Sequence, residues 1–368
     1  MKKIFCVVLC IAVFVLIFPV NAEAVSAKSA VVICGDTGEI LYSKNCDTRM
    51  PMASTTKIMT ALLLCENGDL EREITATKEM VAVEGSSMGL LAGDTVSLRA
   101  LLYGMLLASG NDAANTTAYV LAGSINGFAQ MMNKRAKELG LKNTNFVTPS
   151  GLDADNHYTT AYDLAILAKA ALSNQDFASA AASEYETLYY GNPPYRRTLK
   201  NHNKLLNNFN GAVGVKTGFT KKSGRCLVSA AKRDGRYVIA VTLNAPDDWN
   251  DHKYLLEYGL SRVNSVTPAI SDIPPIHVIN ANIETVNCIY NEISLSVSDE
   301  TSIETKVYAP RFLYAPLNKG QTIGKIVYYI GNEAIYEAPL TVDSDVAEEK
   351  YDFYIAFKSL LKYIFSIF

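Results

Sequence analysis

The chain has 368 residues, of which 49% are hydrophobic, and its formal net charge is -3. A chain of this length can form a large core and more than one domain, and its balanced charge argues against a nucleic-acid partner. The seven cysteines show no CxxC spacing, and the four histidines show no ligand spacing. We therefore expect no metal site, no cofactor and no dense disulfide framework, with the thiols acting as small core residues.

The first 24 residues are typical of a signal peptide. Lys2 and Lys3 precede an uncharged apolar run from Ile4 to Val20, and the small residues that end at Ala24 supply a cleavage site. An uncleaved membrane anchor is the alternative, although the run is short for a spanning helix of about 20 residues. We expect export to the outer face of the cytoplasmic membrane or secretion into the cell wall space.

The mature chain begins with strand-like runs at 30–34 and 40–43, which flank a glycine-containing turn and predict a hairpin. Helical patterns follow at 55–65, 98–107, 111–121, 125–139 and 161–172, and further strand-like runs at 212–216, 226–231 and 237–243. Strands at both ends with helices between them predict an α+β domain whose terminal strands share one antiparallel sheet. We assign this domain to residues 25–262.

A linker and a second domain come next. Residues 263–275 contain three prolines, which are incompatible with a helix interior. Beyond them, short runs rich in β-branched residues recur at 285–289, 293–297, 303–308, 325–330 and 334–340. Short strands separated by turn residues predict a small all-β domain, which we assign to 276–343.

The final segment, 344–368, has a different pattern. Placed on a helix, its aromatic and aliphatic residues from Phe353 to Phe368 fall largely on one side, whereas Lys358 and Lys362 lie on the other. Such a stripe can pack on the core of its own domain. At the end of an exported chain, aromatic residues with flanking lysines favour an amphipathic helix that anchors the protein in the plane of a membrane.

The first chemical motif is Ser54-Thr-Thr-Lys57. A serine hydroxyl is a poor nucleophile until a neighbour removes its proton, and a lysine one helical turn away can do so if burial keeps it neutral. The start of a helix also carries partial positive charge where an oxyanion would form. Alone, the string is more often a helix N-cap followed by a solvated lysine.

Two further motifs follow in the order expected for a serine acyl-enzyme that uses lysine. Ser109-Gly-Asn111 lies between two predicted helices and can project a hydroxyl and a carboxamide into a cleft, although it could be an ordinary turn. Lys216-Thr-Gly218 ends a predicted strand, whose glycine keeps bulk away from a bound ligand. The trio predicts an enzyme that attacks an amide.

The sequence resembles the low-molecular-mass penicillin-binding proteins of the D-alanyl-D-alanine carboxypeptidase family over nearly the whole mature chain. The resemblance rests on the three motifs and on Met52-Ala-Ser-Thr-Thr-Lys-Ile-Met-Thr60, Gly151-Leu with His157, Thr160-Ala-Tyr-Asp-Leu164 and Lys319-Gly-Gln-x-Ile-Gly324. It implies a penicillin-binding, β-lactamase-like transpeptidase fold. It also implies removal of the terminal D-alanine from peptidoglycan stem pentapeptides, and inhibition by β-lactams that trap the acyl-enzyme.

The resemblance implies a role for each motif residue. Ser54 would be acylated, and Lys57 would be the general base. Ser109 would be a proton relay or leaving-group donor, and Asn111 would be a hydrogen-bond partner of the substrate backbone. Lys216 and Thr217 would bind the terminal carboxylate beside Gly218, and Phe219 would complete the oxyanion hole through its N–H. Some relatives have an arginine downstream, where this chain has Asp247-Asp-Trp-Asn-Asp251. Carboxylate binding is therefore expected to depend more on Lys216, Thr217 and Thr220.

Two alternatives of other classes remain open at this stage. A β-lactamase would use the same motifs but needs a glutamate that activates the deacylating water. Glu66 and Glu84 are the nearest candidates after Lys57, and neither lies in a recognisable loop for that purpose. A non-catalytic penicillin-binding wall or sensor protein would keep the fold and could keep Ser54.

Overall fold

The computed structural model describes residues 25–270, 273–298 and 301–349. These residues form two compact units. The first contains Tyr42–Ser229 together with 25–32 and Ala240–Leu255, and the second contains Ile33–Leu41, Ala230–Ile239 and the described residues from Leu256 onward. The predicted signal peptide and residues 350–368 of the predicted anchor lie outside the described residues. No helix in the described ranges has the length and apolar character needed to cross a bilayer.

The helices of the described chain are α1 (Lys57–Asn67), α2 (Lys78–Val81), α3 (Leu98–Leu106), α4 (Asn111–Ala122), α5 (Ile125–Glu138), α6 (Ala161–Leu172), α7 (Gln175–Ala182), α8 (Leu205–Asn208) and α9 (Asp248–Leu260). The strands as far as α9 are β1 (Ser29–Cys34), β2 (Ile40–Lys44), β3 (Glu73–Thr75), β4 (Thr95–Ser97), β5 (Tyr185–Gly191), β6 (Pro194–Lys200), β7 (Ala212–Thr220), β8 (Gly224–Arg233) and β9 (Arg236–Leu243). The strands after α9 are β10 (Val263–Val266), β11 (Ile276–Ile279), β12 (Thr285–Val286), β13 (Cys288–Ile289), β14 (Leu295–Ser298), β15 (Glu304–Tyr308), β16 (Phe312–Tyr314), β17 (Thr322–Ile330) and β18 (Glu333–Val342).

The prediction that strands from both ends of the α+β domain share one sheet is confirmed. Its strand order is β2-β1-β9-β8-β7, so strands from near the N-terminus lie beside strands that follow the helices. The five predicted helices are present as α1, α3, α4, α5 and α6. In α1 every residue from Lys57 to Leu64 is buried, which explains why its sequence is nearly continuous apolar rather than amphipathic.

A second sheet was not predicted from the sequence. Its order is β3-β4-β5-β6, and its main feature is the hairpin of β5 and β6. The hairpin turn contains Asn192-Pro193, and the strands alternate polar and apolar residues so that Tyr190 and Leu199 are buried on one face. Helices α7 and α9 were also missed. The first turn of α9 contains Asp248 and Asp251. Acidic residues favour a helix N-terminus, but they add nothing to the apolar periodicity from which the other helices were predicted.

Strands are the only regular elements of the described residues after α9, as predicted for the second domain. One core cluster includes Val278, Val286 and Val342, and another includes Ile326 and Tyr328. Two predicted boundaries need correction. Residues 263–266 are strand β10, paired with β14, rather than linker.

The anchor segment was predicted to begin at residue 344, but that is also wrong. Val346 and Glu348 form β bridges with Leu317 and Ala281, because their backbone groups complete the edge of the β domain. All five cysteines of the described residues are free thiols, and Cys34 and Cys226 are buried as small core residues.

Candidate active site

Ser54 lies in a short 3-10 turn, Ala53–Thr56, that leads directly into α1. The turn starts from a left-handed residue, since Ala53 has φ 49°. Two threonine hydroxyls stabilise it: Thr55 Oγ1 donates to Met52 O at 2.6 Å, and Thr56 Oγ1 donates to Ala53 O at 2.8 Å. Both hydroxyls bind carbonyl groups of the turn itself, so the position of Ser54 before α1 is held by its neighbours.

Lys57 is fully buried, and its amine contacts three oxygens. Nζ lies 3.0 Å from Ser54 Oγ, 2.7 Å from Asn111 Oδ1 and 2.7 Å from Ser150 O. Burial lowers the pKa of Lys57 well below its usual value, and the positive charge of Lys216 lowers it further. A neutral amine has two N–H donors and one lone pair. The two contacts of 2.7 Å, to Asn111 Oδ1 and Ser150 O, match the two N–H donors. The lone pair is then left to accept the hydroxyl proton of Ser54.

In the Ser109-Gly-Asn111 motif, Asn111 is the residue that contacts Lys57. Its Nδ2 donates to Glu84 O at 2.6 Å, which orients Oδ1 toward Lys57. The loop that carries Glu84 is fixed by the buried Asp112, whose carboxylate accepts from the backbone N–H groups of residues 88, 89 and 90. Ser109 has φ 57° and its side chain lines the cleft. The sequence did not reveal that Asn111 orients the lysine or that Asp112 holds this loop.

Strand β7 carries the third motif and passes close to the Ser54 turn. An added Cβ on Gly218 would lie 3.0 Å from Ser54 N and 3.1 Å from Thr55 N, so only glycine allows this approach without displacement of the backbone. Lys216 is buried, and this burial lowers its pKa to about 7. Its Nζ donates to Thr217 O at 2.9 Å. Thr220 is turned to other partners, since its hydroxyl donates to Asp153 Oδ1 at 3.0 Å.

A cleft of about 600 Å³ opens above these groups. Of the residues predicted from the sequence, its lining includes Ser54, Ser109, Thr217, Gly218 and Phe219. Lys57, Asn111 and Lys216 are buried, and the first two are joined to Ser54 by the contacts described above. Thr220 is not among the lining residues. The structure therefore brings the three motifs together, with Thr220 as the exception.

His157 supports the Ser54 turn in a way that the sequence did not reveal. Its Nδ1 accepts from the N–H of Val147 at 2.9 Å, so the ring proton is on Nε2, which lies 2.8 Å from Thr56 Oγ1. Burial lowers the pKa of His157 to about 4, which keeps the ring neutral. A chain of hydrogen bonds thus runs from His157 through Thr56 to Ala53 O.

The far side of the cleft contains a cation that the sequence did not suggest. Arg225 Nε donates to Asp248 Oδ1 at 2.8 Å, and the guanidinium lies 5.9 Å from the Trp249 ring centre. Asp248 and Trp249 belong to the acidic segment that replaces the downstream arginine of some relatives. Lys200 and Lys204 also line this side. Lys200, Lys204 and Arg225 therefore add cations to the cleft lining, and the carboxylate-binding role of Thr220 stays a prediction.

Two family profiles match this chain, one before α9 and one after it. Residues 17–247 match the profile of the family described as D-alanyl-D-alanine carboxypeptidase, and residues 278–348 match that of the penicillin-binding protein 5 C-terminal domain. D-alanyl-D-alanine carboxypeptidase DacF of Bacillus subtilis is 33% identical over 342 residues, which cover 87% of this chain and 86% of the relative.

Two solved structures extend the comparison. The Streptomyces K15 DD-transpeptidase has a TM-score of 0.63 and 34% identity, covering 66% of this chain and 100% of that one. Penicillin-binding protein 5 from Haemophilus influenzae has a TM-score of 0.64 and 27% identity, covering 90% of this chain and 100% of that one.

Proposed function

This chain belongs to the D-alanyl-D-alanine carboxypeptidase family and is a serine-type carboxypeptidase, and on that premise we propose that Ser54 is the acylated residue and Lys57 its general base. The observation that carries this assignment is the contact of Lys57 Nζ with Ser54 Oγ at 3.0 Å, together with the lowered pKa of the lysine. The substrate is the D-Ala-D-Ala end of a peptidoglycan stem pentapeptide, and β-lactams react at the same serine.

In the proposed reaction, the lone pair of Lys57 takes the proton of Ser54 as Oγ attacks the carbonyl of the D-Ala-D-Ala bond. The negative charge on the carbonyl oxygen is stabilised by the backbone N–H groups of Ser54 and Phe219. Support for this arrangement comes from Gly218, whose small size brings β7 against the Ser54 turn.

The terminal D-alanine then leaves as the amine. Lys216 and Thr217 hold its carboxylate. The proton that Lys57 took from Ser54 passes through the hydroxyl of Ser109 to the leaving nitrogen, which returns Lys57 to its neutral form. Asn111 keeps Lys57 oriented through Oδ1 and can use its remaining N–H for the substrate backbone. Water hydrolyses the Ser54 ester, with Lys57 as the base for a second time, and the shortened stem peptide is released.

The carboxypeptidase assignment is favoured over a β-lactamase by the surroundings of the two glutamates. Glu66 is bound to Arg135, with its Oε1 2.7 Å from Nη2, and the Glu84 side chain is exposed. Neither carboxylate has a contact with Ser54 or Lys57 among the hydrogen bonds of the described residues. Slow hydrolysis of the penicilloyl ester is therefore expected, whereas a β-lactamase would release it rapidly.

Intact mass after brief exposure to benzylpenicillin tests the proposal. The wild-type protein should gain the mass of one penicilloyl group on Ser54 and should release D-alanine from a peptide ending in D-Ala-D-Ala. Ser54→Ala should lose both activities, whereas Ser173→Ala, an exposed serine at the end of α6, should keep both. An adduct on Ser109, or acylation of the Ser54→Ala variant, would contradict the assignment.

We propose that the protein is exported by residues 1–24 and held on a membrane surface by residues 350–368. The support is the sequence pattern: aromatic residues supply burial in the interface, and Lys358 and Lys362 meet anionic headgroups. The β domain includes Glu349, whose N–H donates to Asn280 O at 2.9 Å, so a truncation should follow this residue.

The truncated protein should react with penicillin but should not float with anionic vesicles. The pair Lys358→Glu and Lys362→Glu should weaken vesicle binding of the full chain, less so at high salt because ions screen the charge. If the truncated protein floats as well as the full chain, or loses its fold, residues 350–368 are not the anchor.

A further inference from the structure

One exposed face of the hairpin β5–β6 has an unusual composition. The register pairs Tyr185 with Lys200, Thr187 with Thr198 and Tyr189 with Arg196. Alternate residues of a strand point to one side, so these six side chains share a face. Tyr190 and Leu199, which are buried, belong to the opposite face and attach the hairpin to the protein. The six residues are therefore not needed for the packing of the hairpin.

The two tyrosines of this face are exposed to solvent. Tyr185 is 52% exposed and Tyr189 is 66% exposed. Each lies directly opposite a cation, and Lys200 Nζ is 5.4 Å from the ring centre of Tyr185. None of the six side chains is acidic, although the whole chain has a net charge of -3. Exposed aromatic rings beside cations are typical of surfaces that bind anionic ligands with apolar faces.

The face is continuous with the active-site cleft. Lys200 belongs to both, since it ends β6 and also lines the cleft that contains Ser54. Lys204 and Arg225 add positive charge to the lining. Asp248, the only acidic lining residue in the part of the chain that the structure describes, is paired with Arg225. From Tyr185 to Tyr189 the strand extends about 14 Å away from the cleft, at about 3.4 Å per residue.

We propose that this tyrosine–cation face binds the acidic glycan–peptide polymer of the cell wall whose peptide ends enter the cleft. Sugar rings present C–H faces that fit against Tyr185 and Tyr189, and carboxylates of neighbouring stems meet Lys200 and Arg196. The inference rests on the proposed function, because it assumes that the cleft takes a peptidoglycan stem. Contacts far from the scissile bond hold the polymer and raise the effective concentration of its peptide ends without a change in the chemical step.

The test compares two substrates of different size. The double variant Tyr189→Ser, Arg196→Ser changes the end of the face that is remote from the cleft. D-alanine release is measured from isolated peptidoglycan rich in pentapeptide stems and from a soluble acylated tripeptide ending in D-Ala-D-Ala. We expect KM for the polymer to rise about tenfold with kcat unchanged. The tripeptide kcat/KM and the rate of penicillin acylation should stay within about twofold of wild type.

A matched control lies in the second domain. Tyr308 and Lys325 are also directly opposite each other on neighbouring strands, and Tyr308 is 47% exposed. The variant Tyr308→Ser, Lys325→Ser removes the same two classes of side chain, a tyrosine and a cation, outside the cleft that contains Ser54, and it should leave both substrates unaffected. An unchanged polymer KM in the hairpin variant, an equal loss on the tripeptide, or an equal loss in the control variant would overturn the proposal.

Binding is measured separately from catalysis. Sedimentation of the Ser54→Ala protein with isolated peptidoglycan should decrease when the hairpin changes are added and should decrease at high salt. If the wild-type protein released no D-alanine from either substrate, the proposed function would fail. Sedimentation would still decide whether this face binds the polymer, because it does not require turnover.

Discussion

At the scale of single residues, the main chemical problem is how a lysine can act as a base. Lys57 is buried at the start of α1 and has three oxygen neighbours but no carboxylate contact, so its charged form is poorly stabilised. Lys216 adds repulsion from a second cation, which outweighs the attraction of the Asp112 carboxylate. Both effects favour the neutral amine, which is the form that can accept a proton from Ser54.

Replacement of Lys57 by arginine should therefore abolish acylation even though the charge is kept. Arginine stays protonated at any usable pH, and loss of a general base costs roughly 100-fold or more in rate. The second-order rate of penicillin acylation, measured by mass, checks this. Lys134→Arg, on the exposed side of α5, is the control. An arginine variant that acylates at a rate near wild type would mean that another group removes the proton.

The direction in which the acylation rate changes with pH follows from the lowered pKa of Lys57. Because the pKa of Lys57 is lowered from its usual value, the amine is neutral above that lowered pKa and becomes charged as pH falls through it. The acylation rate should accordingly fall toward acidic pH, as Lys57 becomes charged. It should also fall above about pH 7, where Lys216 loses the charge proposed to hold the carboxylate. A profile without the acidic fall would contradict the assignment of Lys57 as the base.

At the scale of elements, the site depends on close contact between a strand and a helix start. Strand β7 can approach the Ser54 turn only because residue 218 is glycine. Gly218→Ala should push β7 away from Ser54 N and Thr55 N, which would misalign the N–H groups proposed for the oxyanion. Loss of one oxyanion donor costs about 100-fold or more, so partial misalignment should lower penicillin acylation by about tenfold.

That variant should keep its fold, because the contact lies at the edge of the sheet. Thermal unfolding checks this, and a small change in Tm with a large loss of acylation is the expected combination. If acylation is unchanged, the approach of β7 to the turn has no part in oxyanion stabilisation.

At the scale of the whole molecule, stability should depend on two buried neutral histidines. Burial lowers the pKa of His157 to about 4 and that of His252 to about 3. In the unfolded chain a histidine has a pKa near 6.5, so the unfolded state binds more protons between the two values. Stability is thus fully present above about pH 6.5 and is lost as pH falls, by on the order of 3 kcal/mol for His157.

His157→Gln removes one of these titrations while it keeps a polar side chain near Thr56. Free energies of unfolding from urea titrations at several pH values should give a shallower slope between about pH 4 and 6.5 for the variant than for wild type. The pH dependence of stability that remains in the variant includes the titration of His252. Parallel curves for the two proteins would show that His157 does not titrate on unfolding.

The sequence by itself determined the parts of this protein that depend on local pattern. The period of apolar residues predicted α3, α4, α5 and α6 with ends within about two residues, which is the usual uncertainty of helix ends. The motifs also identified part of the cleft lining, including Ser54, Ser109 and Gly218. A nucleophile, a lysine and a glycine-containing strand end are each recognisable from a few neighbouring residues.

Only the tertiary structure decided which distant groups meet. The sequence spacing gave no reason to join Ser150 O to Lys57, His157 to Thr56, or Arg225 to Asp248, because each pair is separated by more than twenty residues and is brought together by the packing of different elements. The hairpin β5–β6 was missed for the same reason: its exposed tyrosines and cations alternate weakly, and its attachment depends on Tyr190 and Leu199, whose burial comes from other parts of the fold. Local sequence pattern therefore predicted the helices and the motifs. Long-range packing determined the lowered pKa of Lys57 and the residues that surround the cleft.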